Sequence, residues 1–143
     1  SWLPSYGPEM RGGTANCSVV LSDEPIGSPL VTAPSELIVM NQPSFDKFCN
    51  AVVPGGVIVA DATLVPNTAE IEGVKLCCIP ATQMAEEAGL KGLANIICVG
   101  KLFAEVGFCD KETLFAAIDK CVPPRKAAMI EKNKQALEIG MNA

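Results

Sequence analysis

Two short apolar runs, Leu37-Ile38-Val39-Met40 and Val57-Ile58-Val59-Ala60, constrain the fold more than any other part of the chain. Neither alternates apolar with polar residues, as a strand with one wet face would. Unbroken runs of this length suit central strands of a parallel sheet covered on both faces. Between them, Ser44 is placed to cap a helix that carries Phe45, Phe48 and Val52 on its inner face. Pro54-Gly55-Gly56 then stops the helix and returns the chain to the sheet. A strand–helix–strand unit of this size normally makes a right-handed parallel crossover.

The flanking segments extend the same α/β pattern. Thr14–Leu21 is predicted as the first strand, with Ala15, Cys17, Val19 and Leu21 on one face and Thr14, Asn16, Ser18 and Val20 on the other. No strand candidate precedes it, and Asp23-Glu24-Pro25 makes the turn after it. Val74–Ile79 is the fourth strand, closed by Pro80. Thr82 is predicted to cap a helix ending at Gly89. A second helix spans about Leu93 to Val106, with Ile96, Val99, Phe103 and Val106 on one stripe and Gly107 ending it. Gly100 inside that helix costs about 1 kcal/mol relative to Ala, which implies close packing against a neighbouring element. Further helices are predicted over Lys111–Lys120 and, beyond Pro123-Pro124, over Arg125–Ile139 with Met129, Ile130, Asn133 and Leu137 on one face.

Composition narrows the chemistry. The 143 residues contain no histidine, which removes Ser-His-Asp and Cys-His catalysis and His-ligated metal from this chain. The seven cysteines include no C-x-x-C pair, so spacing gives no support to zinc or an iron–sulfur cluster. Cys17, Cys49, Cys77, Cys78 and Cys98 stand in apolar stretches and are expected to be buried, reduced thiols. A formal charge of −5 argues against nucleic acid or an anionic membrane as partner. No apolar run has the length of a membrane span, and a cytoplasmic location is expected.

The segment Tyr6-Gly7-Pro8-Glu9-Met10-Arg11-Gly12-Gly13-Thr14-Ala15-Asn16 does not read as core. Gly12 and Gly13 let another molecule approach the main chain, and exposed N–H groups around them can form an anion-binding concavity. Arg11 beside them offers a planar cationic fork for phosphate or carboxylate. A tight turn before a strand, with Arg11 solvated, explains the same residues, and local chemistry leaves both readings open. Elsewhere, Asn41-Gln42 follows an apolar strand, where ligands of open α/β sheets sit, but also suits a polar turn. Asp61 is read as a structural turn residue and Thr82 as a cap before a ligand contact. Asn95 is read as structural, and Glu86-Glu87 as a solvated helix face.

The longer string S-Y-G-P-E-M-R-G-G-T-A-N, followed by S-D-E-P-I, resembles the γ subunit of 2-oxoacid:ferredoxin oxidoreductases. The resemblance continues in order through Asn41-Gln42-Pro43, Pro54-Gly55-Gly56, Ile79-Pro80-Ala81-Thr82, Ala85-Glu86-Glu87-Ala88-Gly89 and Ala94-Asn95. It implies a three-layer Rossmann-like α/β domain with a mainly parallel sheet and a helical C-terminal part. The family's γ domain opens with a strand and a G-x-G-G-Q-G loop upstream of the Tyr6 motif. That unit is absent from the sequence, so residues 1–143 are expected to be one domain lacking its first strand–helix unit.

The resemblance also implies a reaction, in which a 2-oxoacid and coenzyme A give acyl-CoA, carbon dioxide and reduced ferredoxin. Thiamine diphosphate, Mg and iron–sulfur clusters are expected on α, β and δ-type partner subunits, with no cofactor bound by this chain alone. No catalytic acid, base or nucleophile is assigned here. Arg11, Gly12, Gly13, Thr14 and Asn16 are expected to line the approach of coenzyme A, with Tyr6 and Glu9 shaping the loop. Asn41, Gln42 and Thr82 are secondary candidates. The leading substrate is 2-oxoglutarate, followed by branched-chain 2-oxoacids and then pyruvate. A stand-alone nucleotide-binding or regulatory module is the rival reading.

Overall fold

The structure is a computed structural model, and it describes the backbone of residues 2–4 and all of residues 15–143. Five strands and five α-helices are present among the described residues. β1 (Trp2–Pro4) pairs antiparallel with β2 (Ala15–Cys17) as a separate two-stranded ribbon. β3 (Glu36–Val39), β4 (Val57–Asp61) and β5 (Lys75–Ile79) form a parallel sheet with β4 in the middle. The helices are α1 (Gln42–Phe48), α2 (Ala81–Glu87), α3 (Ala94–Val106), α4 (Lys111–Cys121) and α5 (Met129–Met141).

The continuous apolar runs do what their composition demands. Alternate residues of β4 point to opposite faces and both faces are covered. Val59 packs with Cys77, Ile79, Ala81, Ala85, Leu90, Leu93, Ile97, Cys98 and Ala136 on the side of α2, α3 and α5. Ile58 and Ala60 pack with Val39, Phe45, Cys49, Val52 and Val65 on the side of α1. The result is the expected three-layer α/β core. Ile58, Val59 and Ala60 are fully buried, and burying a side chain such as Ile58 contributes about 1.5–3 kcal/mol.

Several expectations change at element boundaries. A strand does precede the motif, and of the predicted strand from Thr14 to Leu21 the described residues are strand over Ala15–Cys17 and not beyond it. Residues 18–35 form no helix or strand, because Pro25, Pro29 and Pro34 remove backbone donors along them. The cap of α1 is Asn41, whose side chain accepts from the Ser44 N–H at 2.9 Å, so Ser44 lies inside the first turn. Pro43 fits there because the early N–H groups of a helix have no intrahelical partner. Arg125 falls in a separate 3-10 turn, Pro124–Lys126, and α5 begins only at Met129. The stripe of α3 is displaced by one position, since Ile97, Cys98 and Gly100 are the buried residues and Val106 is exposed. Cys17 and Cys78 are exposed rather than buried, while Cys49, Cys77 and Cys98 are core.

The displaced stripe follows from how α3 meets α5. A Cβ at Gly100 would fall onto the backbone carbonyl of Leu137, and one at Gly140 onto that of Ile97. The two glycines therefore let the helix backbones touch, as the cost of Gly100 implied. Gly140 lies inside α5 rather than ending it. Across the sheet, Glu105 of α3 pairs with Lys75 of β5 and with Lys101 one turn earlier, the latter at 2.9 Å. Hydrogen bonds from Lys75 and Lys101 hold the Glu105 carboxyl at about 2, below its ordinary value of 4.5.

Two outcomes follow. Gly100→Ala and Gly140→Ala should each destabilise the chain by about 1–3 kcal/mol, overpacking outweighing the helix-propensity gain of about 1 kcal/mol. Unchanged or raised chemical-denaturation midpoints in both variants would refute the backbone contact. Glu105 titrates lower in the folded chain than in the unfolded one. Its contribution is therefore complete above the unfolded value and lost as pH falls from about 4.5 toward about 2. The stability difference between wild type and Glu105→Gln, followed by thermal melting, should be constant above about pH 6 and shrink below about pH 4.5.

Candidate functional site

The carboxyl ends of β3, β4 and β5 lie along one edge of the sheet, the edge at which open α/β folds bind ligands. Asn41 and Gln42 leave β3 there, Asp61 ends β4, and Pro80-Ala81-Thr82 leaves β5. A cavity of about 340 Å³ opens beside them, lined by Met40, Thr82, Glu86, Lys91, Asn95 and small residues of α2 and α3. That volume lies at the lower end of ordinary ligand pockets.

Asp61 organises this edge. Its side chain is fully buried and accepts three hydrogen bonds. Thr82 Oγ1 donates to Oδ2 at 2.5 Å, the Thr82 N–H to Oδ1 at 3.3 Å, and the Thr63 N–H to Oδ1 at 3.1 Å. Thr63 Oγ1 in turn accepts from the Gln83 N–H at 3.3 Å. The residue before α2 is Pro80, which makes no side-chain cap. The first donors of α2 are thus satisfied from the end of β4, across the sheet. Thr82 is not the cap the sequence suggested; its hydroxyl and its N–H are both held by Asp61. A buried carboxylate needs such donors.

Asn41 and Gln42 are also held in place. Asn41 caps α1, as described above. Gln42 Nε2 donates to Asp46 Oδ1 at 2.8 Å and to the Asn67 carbonyl at 2.7 Å, and its Oε1 accepts from the Asn67 N–H at 3.0 Å. The two Gln42–Asn67 hydrogen bonds tie the segment after β4 to the start of α1. Glu86 and Glu87 are exposed, with Glu87 accepting from Gln83 at 2.8 Å.

Of the primary candidates, Asn16 sits in the middle of β2 opposite Leu3, half-buried. Tyr6, Glu9, Arg11, Gly12, Gly13 and Thr14 lie outside the described residues. The structure brings Thr82 into the cavity wall with Met40, Glu86, Lys91 and Asn95. Sequence reasoning passed over Lys91 and Gly92. The signal was the G-L-K-G run between two helices, whose end glycines have φ of +69° and +88°. These left-handed positions turn the chain sharply on either side of Lys91 and set it on the rim.

The thiols near this edge are not activated. Burial, with a smaller push from the Asp61 charge, raises Cys98 to about 12. Burial also raises Cys77, ahead of the Glu105 charge. A protonated, enclosed thiol is a poor nucleophile. The cavity at this edge has an apolar floor and a rim of one ammonium, one carboxylate and two neutral polar groups.

Removing the Asp61 carboxylate strands three donors. Asp61→Ala should cost about 3 kcal/mol or more, and Asp61→Asn clearly less because one acceptor oxygen survives. Equal loss in the two variants, measured by urea denaturation, would contradict the three-bond account.

Residues 1–143 match the family described as pyruvate ferredoxin/flavodoxin oxidoreductase. The ketoisovalerate oxidoreductase subunit VorA of Methanothermobacter thermautotrophicus is 40% identical over 98% of this chain, which spans 29% of that relative's length. The 2-oxoglutarate synthase subunit KorC of Methanocaldococcus jannaschii is 40% identical over 95% of this chain and 72% of its own length. Among solved structures, the γ subunit of keto/oxoacid ferredoxin oxidoreductase from Geobacter sulfurreducens superposes with a TM-score of 0.73 at 25% identity, covering 85% of this chain and 65% of that one. The pyruvate oxidoreductase subunit PORC of Thermotoga maritima shares the fold at a TM-score of 0.59 and 20% identity, over 78% of this chain and 64% of that one. Motif order, sheet topology and full-length match agree, and the chain belongs to the pyruvate ferredoxin/flavodoxin oxidoreductase family.

Proposed function

We propose that residues 1–143 form one γ-type, non-redox domain of a 2-oxoacid:ferredoxin oxidoreductase acting on 2-oxoglutarate. The observation that carries this reading is the 40% identity to a 2-oxoglutarate synthase subunit along 95% of the chain. The sheet-edge geometry is consistent with a positioning role, since its polar groups hold loops and helix ends and its buried thiols are protonated. Ketoisovalerate is the second reading, favoured by equal identity to the VorA subunit over 98% of the chain.

In this proposal thiamine diphosphate, Mg and iron–sulfur clusters sit on α, β and δ-type partners, and the complex passes electrons to ferredoxin. When bound, the thiamine cofactor supplies the electron sink for decarboxylation. Among the described residues no group of three or more His, Cys, Asp or Glu side chains is placed to hold a metal ion. This chain's own task is to bind and orient coenzyme A. Arg11 offers its fork to a phosphate, the Gly12 and Gly13 N–H groups add neutral donors, and Thr14 and Asn16 supply a hydroxyl and an amide. Tyr6 and Glu9 shape that loop.

The test uses the assembled oxidoreductase, with an artificial electron acceptor and 2-oxoglutarate, ketoisovalerate or pyruvate as substrate. The highest kcat/KM is expected with 2-oxoglutarate; a preference for ketoisovalerate would establish the second reading. Arg11→Ala should raise the KM for coenzyme A at least about tenfold, the scale of one lost charge-assisted contact, and leave the KM for the oxoacid unchanged. No change in coenzyme A affinity or turnover would remove Arg11 from the site. No turnover of any oxoacid by the wild-type assembly would remove the functional reading itself.

A further inference from the structure

The apolar residues left most open to water fall in one short stretch. Val19 and Leu21 are each 72% exposed, Ile26 is 51% and Leu30 is 62%, all within residues 18–35 and outside any helix or strand. Every other large apolar side chain of the described residues is less exposed than these four. Isolated exposed apolar residues are ordinary, but four within twelve positions concentrate them in one segment. The stretch keeps its shape by local means, with the Glu24 N–H on Ser22 Oγ at 3.0 Å and the Leu30 N–H on Ser28 Oγ at 3.2 Å.

We propose that residues 18–35 are a docking segment for a different polypeptide of the same oxidoreductase, one presenting an apolar surface with a basic side chain in it. The proposal rests on the functional reading above. Three observations choose the occupant. Asp23 and Glu24 are exposed between Leu21 and Ile26 in the sequence, and neither forms an ion pair with another described residue. A second copy packed through the same segment about a two-fold axis brings no cation to these acids, since residues 18–35 contain no Lys or Arg, whereas a Lys or Arg on another polypeptide complements them. The VorA relative carries the matched sequence inside a polypeptide of which this chain spans 29%, while it makes up 72% of the KorC relative. A domain that is tethered to further sequence in one relative, and largely separate in another, needs a surface to hold it to the counterpart of that sequence. Finally, residues 18–35 approach the roughly 20–30 residues that one side of a standard interface uses.

The experiment places the photo-crosslinking residue p-benzoylphenylalanine at Leu21, at Leu30 and, as a control, at Leu64, in the tagged chain expressed with its oxidoreductase partners. Crosslinks from positions 21 and 30 to another oxidoreductase subunit, and none from position 64, support the proposal. In parallel, the double variant Leu21→Glu/Leu30→Glu should reduce co-purified partner at least about tenfold with an unchanged melting temperature, since exposed positions bear little of the fold. Co-purification of the partners with crosslinks only to a second copy, or with no crosslink at either position, overturns the docking surface and leaves the functional reading standing. Failure of the wild-type chain to co-purify with any oxidoreductase subunit overturns that reading, and the docking proposal with it.

Discussion

The buried carboxylate of Asp61 is the interaction on which the sheet edge depends. It ends the central strand, accepts from the turn that follows, and holds the hydroxyl and N–H of Thr82 at the start of α2. α2 is only seven residues long and has no cap of its own. A helix that short is marginal without tertiary support. Its position, and with it one wall of the cavity, is therefore set by β4. Because the charge is fully enclosed, the arrangement has little slack: a carboxylate in this environment is tolerable only while its donors stay in place.

On the same face of the sheet, the contact between α3 and α5 works by the opposite means. No polar side chain is involved, and two missing side chains allow the backbones to meet at Gly100 and Gly140. Leu137, Ala136, Ile97 and Cys98 are all fully buried around that contact. α3 thereby becomes a fixed slab against β4, and its first turn carries Ala94 and Asn95 into the cavity wall. Asp61 and the glycine contact together fix both helices that line the site.

Much of this was legible in the sequence because the physics was local. Unbroken apolar runs identified β3 and β4, Pro54-Gly55-Gly56 marked the return to the sheet, and Gly100 announced a close approach. What was not legible depended on partners distant along the chain. Thr82 read as a cap because Ser and Thr favour that role, but its partner lies 21 residues earlier. The stripe of α3 was placed one position off because large side chains were assumed to mark the buried face, whereas the face is marked by Gly100. Cys78 stood in an apolar run yet is exposed, as expected of alternate residues in the edge strand β5. Lys91 drew no notice because a lone lysine between helices carries no pattern.

The sheet edge also limits what kind of participant this chain can be. Its polar side chains are largely committed to one another: Asp61 to Thr82 and Thr63, Gln42 to Asn67 and Asp46, Asn41 to the first turn of α1. Groups tied in this way hold geometry, because releasing any of them breaks a bond the fold uses. Cys77 and Cys98 are likewise held in their protonated forms. A rigid edge with few available reactive groups suits a domain that shapes a shared site, and such a domain works only when docked. The exposure of Val19, Leu21, Ile26 and Leu30 is what the docking proposal accounts for, since a self-sufficient domain would cover such apolar surface itself.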